Sequence, residues 1–263
     1  MKKNDLLVAM KSVMMGIDKS SAIGSDFLLF DEDWIRSYKE DISCSFPIKV
    51  GVRTAVRADE MYKILSRMDA EELDIKMADD GKLQIKGGKT TLKMNSLQKE
   101  QITSSLERAW AVQTDDLEWF YLPKDFQLAL DLCSFGAGTG TALGPMAGIH
   151  FMENKAISTD NYRVSVYTMA ESVAKAFTIP TKTAEGLLKL EEKFEVISIT
   201  KSWAHLSNDG GAIYSSRILA GDYPYKKVMG MFETMKFDMN AAPLEFPKGL
   251  EDPLERAKII AGA

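Results

Sequence analysis

The segment PKDFQLALDLC (123–133) places Phe126, Ala129, Leu130 and Cys133 at i, i+3, i+4 and i+7. That spacing gathers four apolar side chains on one face of a helix. Pro123, three residues ahead, suits a helix start, where a missing N–H costs nothing. The quartet occurs twice more. Leu6, Ala9, Met10 and Val13 carry it 120 residues earlier. Leu250, Pro253, Leu254 and Ala257 carry it 124 residues later, again with a proline, Pro247, three residues ahead. Pro253 fits a helix only if that helix begins near Leu250, which leaves the proline in the first turn. Self-similarity at a fixed period decides an architecture before any single element does.

A second helix pattern repeats as well. RADEMYKILSRM (57–68) and IPTKTAEGLLKL (179–190) align at an offset of 122, pairing Leu65 with Leu187 and Met68 with Leu190. At the same offset ISCS (42–45) aligns with VSVY (164–167), both alternating as strands do. Strand-like runs ELDIKMAD, GKLQIKGG and TTLKMNSL follow the first of these helices. FEVISITKS, WAHLS and GAIYSSRIL follow the second. Each unit reads helix, strands, helix, strands. The expected fold is therefore α+β, with repeated helix-plus-antiparallel-sheet domains at 1–110 and 118–240, and the first helix of a further unit at 244–263. The boundaries fall in LQKEQITSSLERAWAVQTDDLEW (97–119), polar and then acidic, and in the region 220–245. The competing architectures are two unrelated α+β domains, or two domains with a C-terminal helix docked back on them.

Composition narrows the function classes. The chain has 263 residues, 45% hydrophobic and 27% charged, with a net charge of −5. These values are ordinary for a water-soluble domain pair. The balance disfavours a uniformly basic nucleic-acid binder, but not one whose positive charge lies on one face. No apolar stretch approaches the ~20 residues of a membrane span. The start MKKNDLLVAMKSVMMGI is interrupted by Asp5 and Lys11 and lacks a small-residue cleavage site, so it reads as a packed helix and the protein as cytoplasmic. Cys44 and Cys133 cannot form a disulfide framework or a four-cysteine zinc site, and both read as small core residues.

Catalytic patterns are thin. SFGAGTGTALGP (134–145) offers Gly136, Gly138, Gly140 and Gly144, and supports an alternative reading as a nucleotide-binding enzyme. Phosphate loops, however, follow a strand and open a helix. Here the glycines follow a helix and precede the strand-like GIHFM, with no Lys-Ser/Thr pair after them. His150 and His205 lie far apart, and the acids of DDLE (115–118) and EDPLE (251–255) suit linker or helix-end positions. No catalytic residue, metal site or cofactor is expected.

Four motifs then carry a family resemblance. AISTDNYRVSVYTM (156–169), AFTIPTKTAEGLLKL (176–190) and SSRILAGDYPYKKVM (215–229) resemble, in order and spacing, bacterial-type DNA sliding clamps, the DNA polymerase III beta subunit family, and EFPKGLEDPLERAKII (245–260) resembles the opening of that family's third domain. The resemblance is clear over 120–263. It is weaker in the first unit, where GSDFLLFDEDWIRSYKEDISCS follows the family loosely and the strand before the first helix is short or missing.

What the resemblance implies is a DNA clamp fold: a non-catalytic ring of six similar domains, with strands outside and helices lining the hole. The family builds it head to tail from two three-domain subunits. This chain resembles such a subunit cut in its third domain, so the homodimer is expected of a full-length protein and a trimer of a two-domain one. The ring would encircle duplex DNA without reading its sequence and tether the replicative polymerase. Sliding requires contacts to phosphate rather than base edges. The basic residues of the helices, Lys11, Lys63, Arg67, Lys124, Lys182 and Lys189, are the candidates, with Glu60 and Glu185 diluting the field.

The resemblance also implies a pocket for short apolar peptides of the polymerase and the clamp loader. Its second-domain share would fall on Thr159, Asn161, Tyr162, Arg163 and Val164, with Pro224, Lys227 and Val228 opposite. An apolar receptacle with an Arg at its rim suits such a peptide. This chain has Asn161-Tyr162 where the family has Gly-His, and Tyr225 directly follows Pro224.

Overall fold

A computed structural model describes residues 1–18, 25–39, 41–97, 99–112, 117–138, 140–190, 192–234 and 247–261. The first repeat runs α1 (Lys3–Val13), β1 (Phe27–Asp31), β2 (Trp34–Lys39), β3 (Ile42–Pro47), β4 (Arg53–Arg57), α2 (Ala58–Arg67), β5 (Asp74–Met77), β6 (Leu83–Gly87) and β7 (Thr90–Met94). A helix, α3 (Lys99–Val112), leads to the second repeat. That repeat runs β8 (Phe120–Tyr121), α4 (Phe126–Ser134), β9 (Gly148–Met152), β10 (Lys155–Thr159), β11 (Val164–Thr168), β12 (Phe177–Pro180), α5 (Thr181–Leu188), β13 (Val196–Ile199), β14 (Trp203–Ser207) and β15 (Ile213–Arg217). Met1–Tyr223 form one compact unit; α6 (Tyr225–Thr234) and α7 (Glu251–Ala261) belong to another.

The two repeats match element for element. Sheet order β4-β1-β2-β3 in the first is answered by β12-β9-β10-β11 in the second, and β5-β6-β7 by β13-β14-β15. β8 adds a strand beside β13, whereas among the described residues the first repeat has the isolated bridge Lys2–Glu72 at the equivalent edge. Every pairing is antiparallel. β3 also pairs with β15, with Cys44 opposite Tyr214 and Ser43 opposite Ser215. This seam fuses the first sheet of one repeat with the second sheet of the other into eight continuous strands.

The quartets are where the periodicity puts them. Leu6, Ala9, Met10 and Val13 on α1, and Phe126, Ala129, Leu130 and Cys133 on α4, are all buried in one shared core. Ala58, Met61 and Leu65 on α2, and Ala184 and Leu187 on α5, enter the same core. At ~25 cal/mol per Å² of apolar surface, each buried Leu, Met, Val or Phe among them contributes about 1.5–3 kcal/mol, and each Ala less. The third quartet behaves differently. α7 begins at Glu251 and holds Pro253 in its first turn, but Leu254 is 58% exposed and Pro253 and Ala257 are exposed.

A polar motif repeats beside the apolar one. Ser37 Oγ donates to the carbonyl of Val13, at the end of α1, and Ser158 Oγ donates to the carbonyl of Cys133, at the end of α4. Gly16 and Gly136 follow these carbonyls. A Cβ on Gly16 would collide with Ser37 Oγ, and one on Gly136 would meet Ser165 Oγ at 2.6 Å and Ser158 Oγ at 2.9 Å. Ser37 pairs with Cys44 across β2–β3, as Ser158 pairs with Ser165 across β10–β11. Cys44 is therefore the counterpart of Ser165. The strand equivalence is one residue short of the offset of 122 expected from the alignment of ISCS with VSVY. A one-residue slip exchanges the two faces of a strand, so the serine contacts, not the apolar alternation, fix the correct match.

The boundary segment 97–119, polar and then acidic in sequence, contains a packed helix. Its first part is α3, whose Ile102 and Ala109 pack on Leu29 and Ala55, with Phe27, Tyr38 and Leu97 around them. Leu28, Phe30 and Val56 on the same strands point to the opposite core, beneath α1 and α2. One helix therefore lies on the face away from the others, where strands alone were expected. Arg36 is buried on the same side of β2 as Leu29, donating to Ser45 Oγ at 2.6 Å, and burial lowers its pKa to about 10. Residues 113–116 and 235–246, which hold parts of the two expected boundaries, lie outside the described residues.

Candidate nucleic-acid interface

Where the repeats meet, α1 and α5 flank a cleft of about 570 Å³. Val8, Met14, Met15, Ile42 and Leu190 give it an apolar lining. Lys11 from α1, Lys39 from the end of β2, and Lys182 and Lys189 from α5 surround it, with Glu185 and Glu192 among them. Close approach is possible because α5 carries Gly186: a Cβ there would sit 2.7 Å from Met15 Sδ. Three of the six basic residues singled out in sequence thus share one cleft. Lys39 was missed because it stands on a strand, outside the helical patterns that guided the search.

Glu192 ties the joint beneath this cleft. Its Oε1 accepts from Ser12 Oγ at 2.7 Å, and its Oε2 accepts from Asn208 Nδ2 at 2.5 Å and Tyr214 OH at 2.8 Å. Gln127 Nε2 donates to its backbone carbonyl at 2.8 Å. Ser12 belongs to the first repeat and the other partners to the second, so one carboxylate bridges both. Burial and this carboxylate together push the Tyr214 phenol well above its ordinary pKa. Hydrogen bonds to a charged acceptor are the stronger kind.

The remaining basic candidates stay outside the cleft. Lys63 and Arg67 are exposed on α2, turned away from buried Met61 and Leu65, and Lys124 is exposed just ahead of α4.

The residues expected at a peptide pocket form the turn between β10 and β11. Asp160 Oδ1 accepts the backbone N–H groups of Tyr162 at 2.9 Å and Arg163 at 2.8 Å. Asp160 Oδ2 accepts Arg163 Nε at 3.0 Å and Nη2 at 2.8 Å. Arg163, first by its side chain and then by its backbone N–H, holds the Asp160 carboxyl down at about 2. Thr159 Oγ1 donates to the Arg163 carbonyl at 2.8 Å, and Asn161 takes a positive φ of 74°, which asparagine tolerates better than most side chains. Tyr162 is 94% exposed, Val164 is half-buried, and Arg163 stacks 4.6 Å over the Phe135 ring. The guanidinium is thus already engaged within its own turn. Pro224, Lys227 and Val228 belong to the other unit, where Pro224 precedes α6, Lys227 is exposed and Val228 is buried.

The glycine-rich segment is a connector. Gly136 packs on serines, and Thr181 Oγ1 donates to the carbonyls of Gly138 at 2.8 Å and Ala147 at 2.9 Å. The chain leaves the C-terminal end of α4 and turns through a short 3-10 segment into β9. The glycines therefore follow a helix and lead into a strand, the reverse of the strand-glycines-helix order of a phosphate loop. His150 bonds Thr178 Oγ1 at 2.9 Å and stacks on Tyr223, and His205 bonds Ser215 Oγ at 2.9 Å; burial lowers both to about 4. Burial raises Cys44 and Cys133 to about 12, far from a reactive thiolate. Among the described residues no group of three His, Cys, Asp or Glu could hold a metal, and no helix is long and apolar enough to cross a membrane.

No protein-family model matches the sequence, and no curated protein matches it. Solved structures do. A putative DNA polymerase III beta subunit from Eubacterium rectale is 17% identical with a TM-score of 0.72, over 87% of this chain and 66% of that one. The DNA polymerase sliding clamp of Bacillus subtilis is 16% identical with a TM-score of 0.69, over 85% of this chain and 64% of that one. The beta subunit from DNA polymerase of Streptococcus pyogenes is 15% identical with a TM-score of 0.75, over all of this chain and 74% of that one. The chain thus spans just under two thirds of the first two. The fold is that of the DNA sliding clamps.

Proposed function

We propose that this chain is a processivity factor: it encircles duplex DNA without sequence preference, tethers a replicative polymerase and performs no chemistry of its own. The observation that carries the reading is the joint cleft, where Lys11, Lys39, Lys182 and Lys189 converge from both repeats. Long ammonium side chains without a fixed hydrogen-bonding fork suit phosphates that must be exchanged one for the next. Lys63, Arg67 and Lys124 would extend this contact along the helices. In this reading 1–110 and 118–240 are two clamp domains, 244–263 opens a third, and the protein is cytoplasmic and associates into a ring.

The turn of Thr159, Asn161, Tyr162, Arg163 and Val164 is the proposed seat of apolar peptides from polymerase and loader. One of the solved neighbours, the Helicobacter pylori beta clamp, is described bound to a DNA ligase peptide. In this chain Tyr162 would supply an exposed aromatic surface, and Asp160 would restrain Arg163.

The test is binding to a labelled duplex over a salt series. The logarithm of affinity should fall linearly with the logarithm of salt, equally for unrelated sequences. Replacing Lys11, Lys39, Lys182 and Lys189 with alanine should flatten the slope by roughly 0.9 for each phosphate no longer neutralised. An unchanged slope, or affinity that follows base sequence, would overturn the reading.

A further inference from the structure

Beside the joint lies a second cavity, of about 560 Å³, within the size range of small-molecule sites. It opens where β15 ends and α5 begins, next to β12. Among the lining residues it shares Lys182 alone with the joint cleft. β12 and β11 are opposite edges of one four-stranded sheet, so the width of that sheet separates the cavity from the turn of Thr159 to Val164. Backbone bonds fix its walls. Three successive N–H groups at the end of β15 reach three different elements: Arg217 donates to the Asp41 carbonyl at 2.9 Å, Ile218 to that of Ser202 at 2.9 Å, and Leu219 to that of Thr178 at 3.1 Å. Thr181 Oγ1, bonded to the carbonyls of Gly138 and Ala147, fixes the start of α5. A preformed pocket spares its ligand much of the ordering cost of binding.

The lining has two characters. Pro180, Ile218 and Leu219 are half-buried and apolar, while Lys182, Lys201 and Arg217 are exposed around them. Among the described residues none of these three cations forms an ion pair. Asp41 is the one carboxylate of the lining, whereas the joint cleft sets Glu185 and Glu192 among its lysines. The Arg217 guanidinium lies 5.2 Å from the ring centroid of buried Trp203, a contact that orients its planar fork and leaves its N–H groups to a ligand. Exchangeable ammonium groups suit a sliding contact. A fork held on a ring suits a headgroup that stays, because it can bond two oxygens at once.

We propose that this pocket binds a small amphipathic anion, a carboxylate or phosphate ester whose headgroup meets Arg217 and Lys201 and whose apolar body lies on Pro180, Ile218 and Leu219. The site does not rest on the duplex reading, since neither Arg217 nor Lys201 belongs to the phosphate contact described above.

Calorimetric titration of the 263-residue chain with naphthyl phosphate, naphthoate, naphthalenemethanol and inorganic phosphate tests this. At least one aryl anion should bind more tightly than about 1 mM, and the tighter of the two names the headgroup. The neutral alcohol, and phosphate without the aryl group, should each bind at least about 10-fold more weakly. Arg217→Gln should weaken the aryl anion by at least about 10-fold, Lys201→Gln should weaken it as well, and Arg53→Gln, at a cavity of the first repeat, should leave it unchanged. All three positions are exposed, so circular dichroism should report folded proteins, and Lys201→Gln decides the matter if Arg217→Gln does not fold. Neither aryl anion reaching about 1 mM overturns the inference, as does equal binding of the alcohol or of inorganic phosphate. Indifference to Arg217→Gln and Lys201→Gln, or an equal loss in Arg53→Gln, overturns it too.

Discussion

Replacing Glu192 with alanine tests whether the two repeats are one cooperative body. The carboxylate accepts three hydrogen bonds, from Ser12, Asn208 and Tyr214. Ser12 and Tyr214 are buried and Asn208 is half-buried, so truncation strands two enclosed hydroxyls and one amide. An unpartnered buried donor costs about 1–3 kcal/mol. Glu192 is itself half-buried and lies at the cleft, so water can reach part of the vacated space. Taking the low end for each donor gives about 3 kcal/mol, a large share of the roughly 5–15 kcal/mol that holds a typical domain together. Glu192→Gln keeps an acceptor but sets a second amide against Asn208, for about 1–2 kcal/mol. Urea unfolding followed by fluorescence should give one transition for each protein, with midpoints ordered wild type, Gln, Ala. A loss below about 1 kcal/mol for Glu192→Ala would refute the argument. Two separated transitions in the wild type would refute its premise.

Gly136→Ala should destabilise by about 1–3 kcal/mol through overpacking, because its Cβ meets two serines and a backbone nitrogen, while Gly140→Ala meets nothing within 4 Å and should be neutral; thermal unfolding compares them, and equal effects would contradict the packing role. Both histidines are held below their ordinary pKa. The unfolded chain therefore binds more protons between about pH 4 and 6.5, and stability is fully present above that window and lost as pH falls through it. The loss should reach at most about 3 kcal/mol for enclosed His205 and less for half-buried His150, and urea titrations of His205→Asn should show a shallower acid limb. Asp160, held at about 2, should titrate by NMR well below other carboxylates. In Arg163→Ala its midpoint should rise toward 3.8, and an unmoved midpoint would refute the ion pair as its main cause.

The helices that build the core were legible because i, i+3, i+4, i+7 is a property of one short window, and both full quartets are buried as read. The joint was not legible. Lys39 and Glu192 take part through tertiary proximity to α1 and α5, which no local period encodes. The Gly16–Ser37–Cys44 and Gly136–Ser158–Ser165 sets were hidden because each spans more than one element and the offset drifts from 120 to 121 within it. α3 escaped because its buried face mixes Ile102, Ser105, Ala109 and Val112, two of them small or polar, and so reads as a linker. Arg163 was legible as a residue but not as a partner, since the carboxylate that engages it is three positions away in a turn whose geometry appears only when β10 and β11 pair.

The seam between β3 and β15 has a mechanical meaning. Four facing residue pairs, Ile42 to Ser45 against Ile213 to Ser216, run along the strands. A pull along the strand direction loads these rungs in parallel, so they must fail together, whereas a peeling force would take them one at a time. With Glu192 pinning the helix side, the two repeats are held on both faces, and relative motion between them must break the seam and the carboxylate's bonds together.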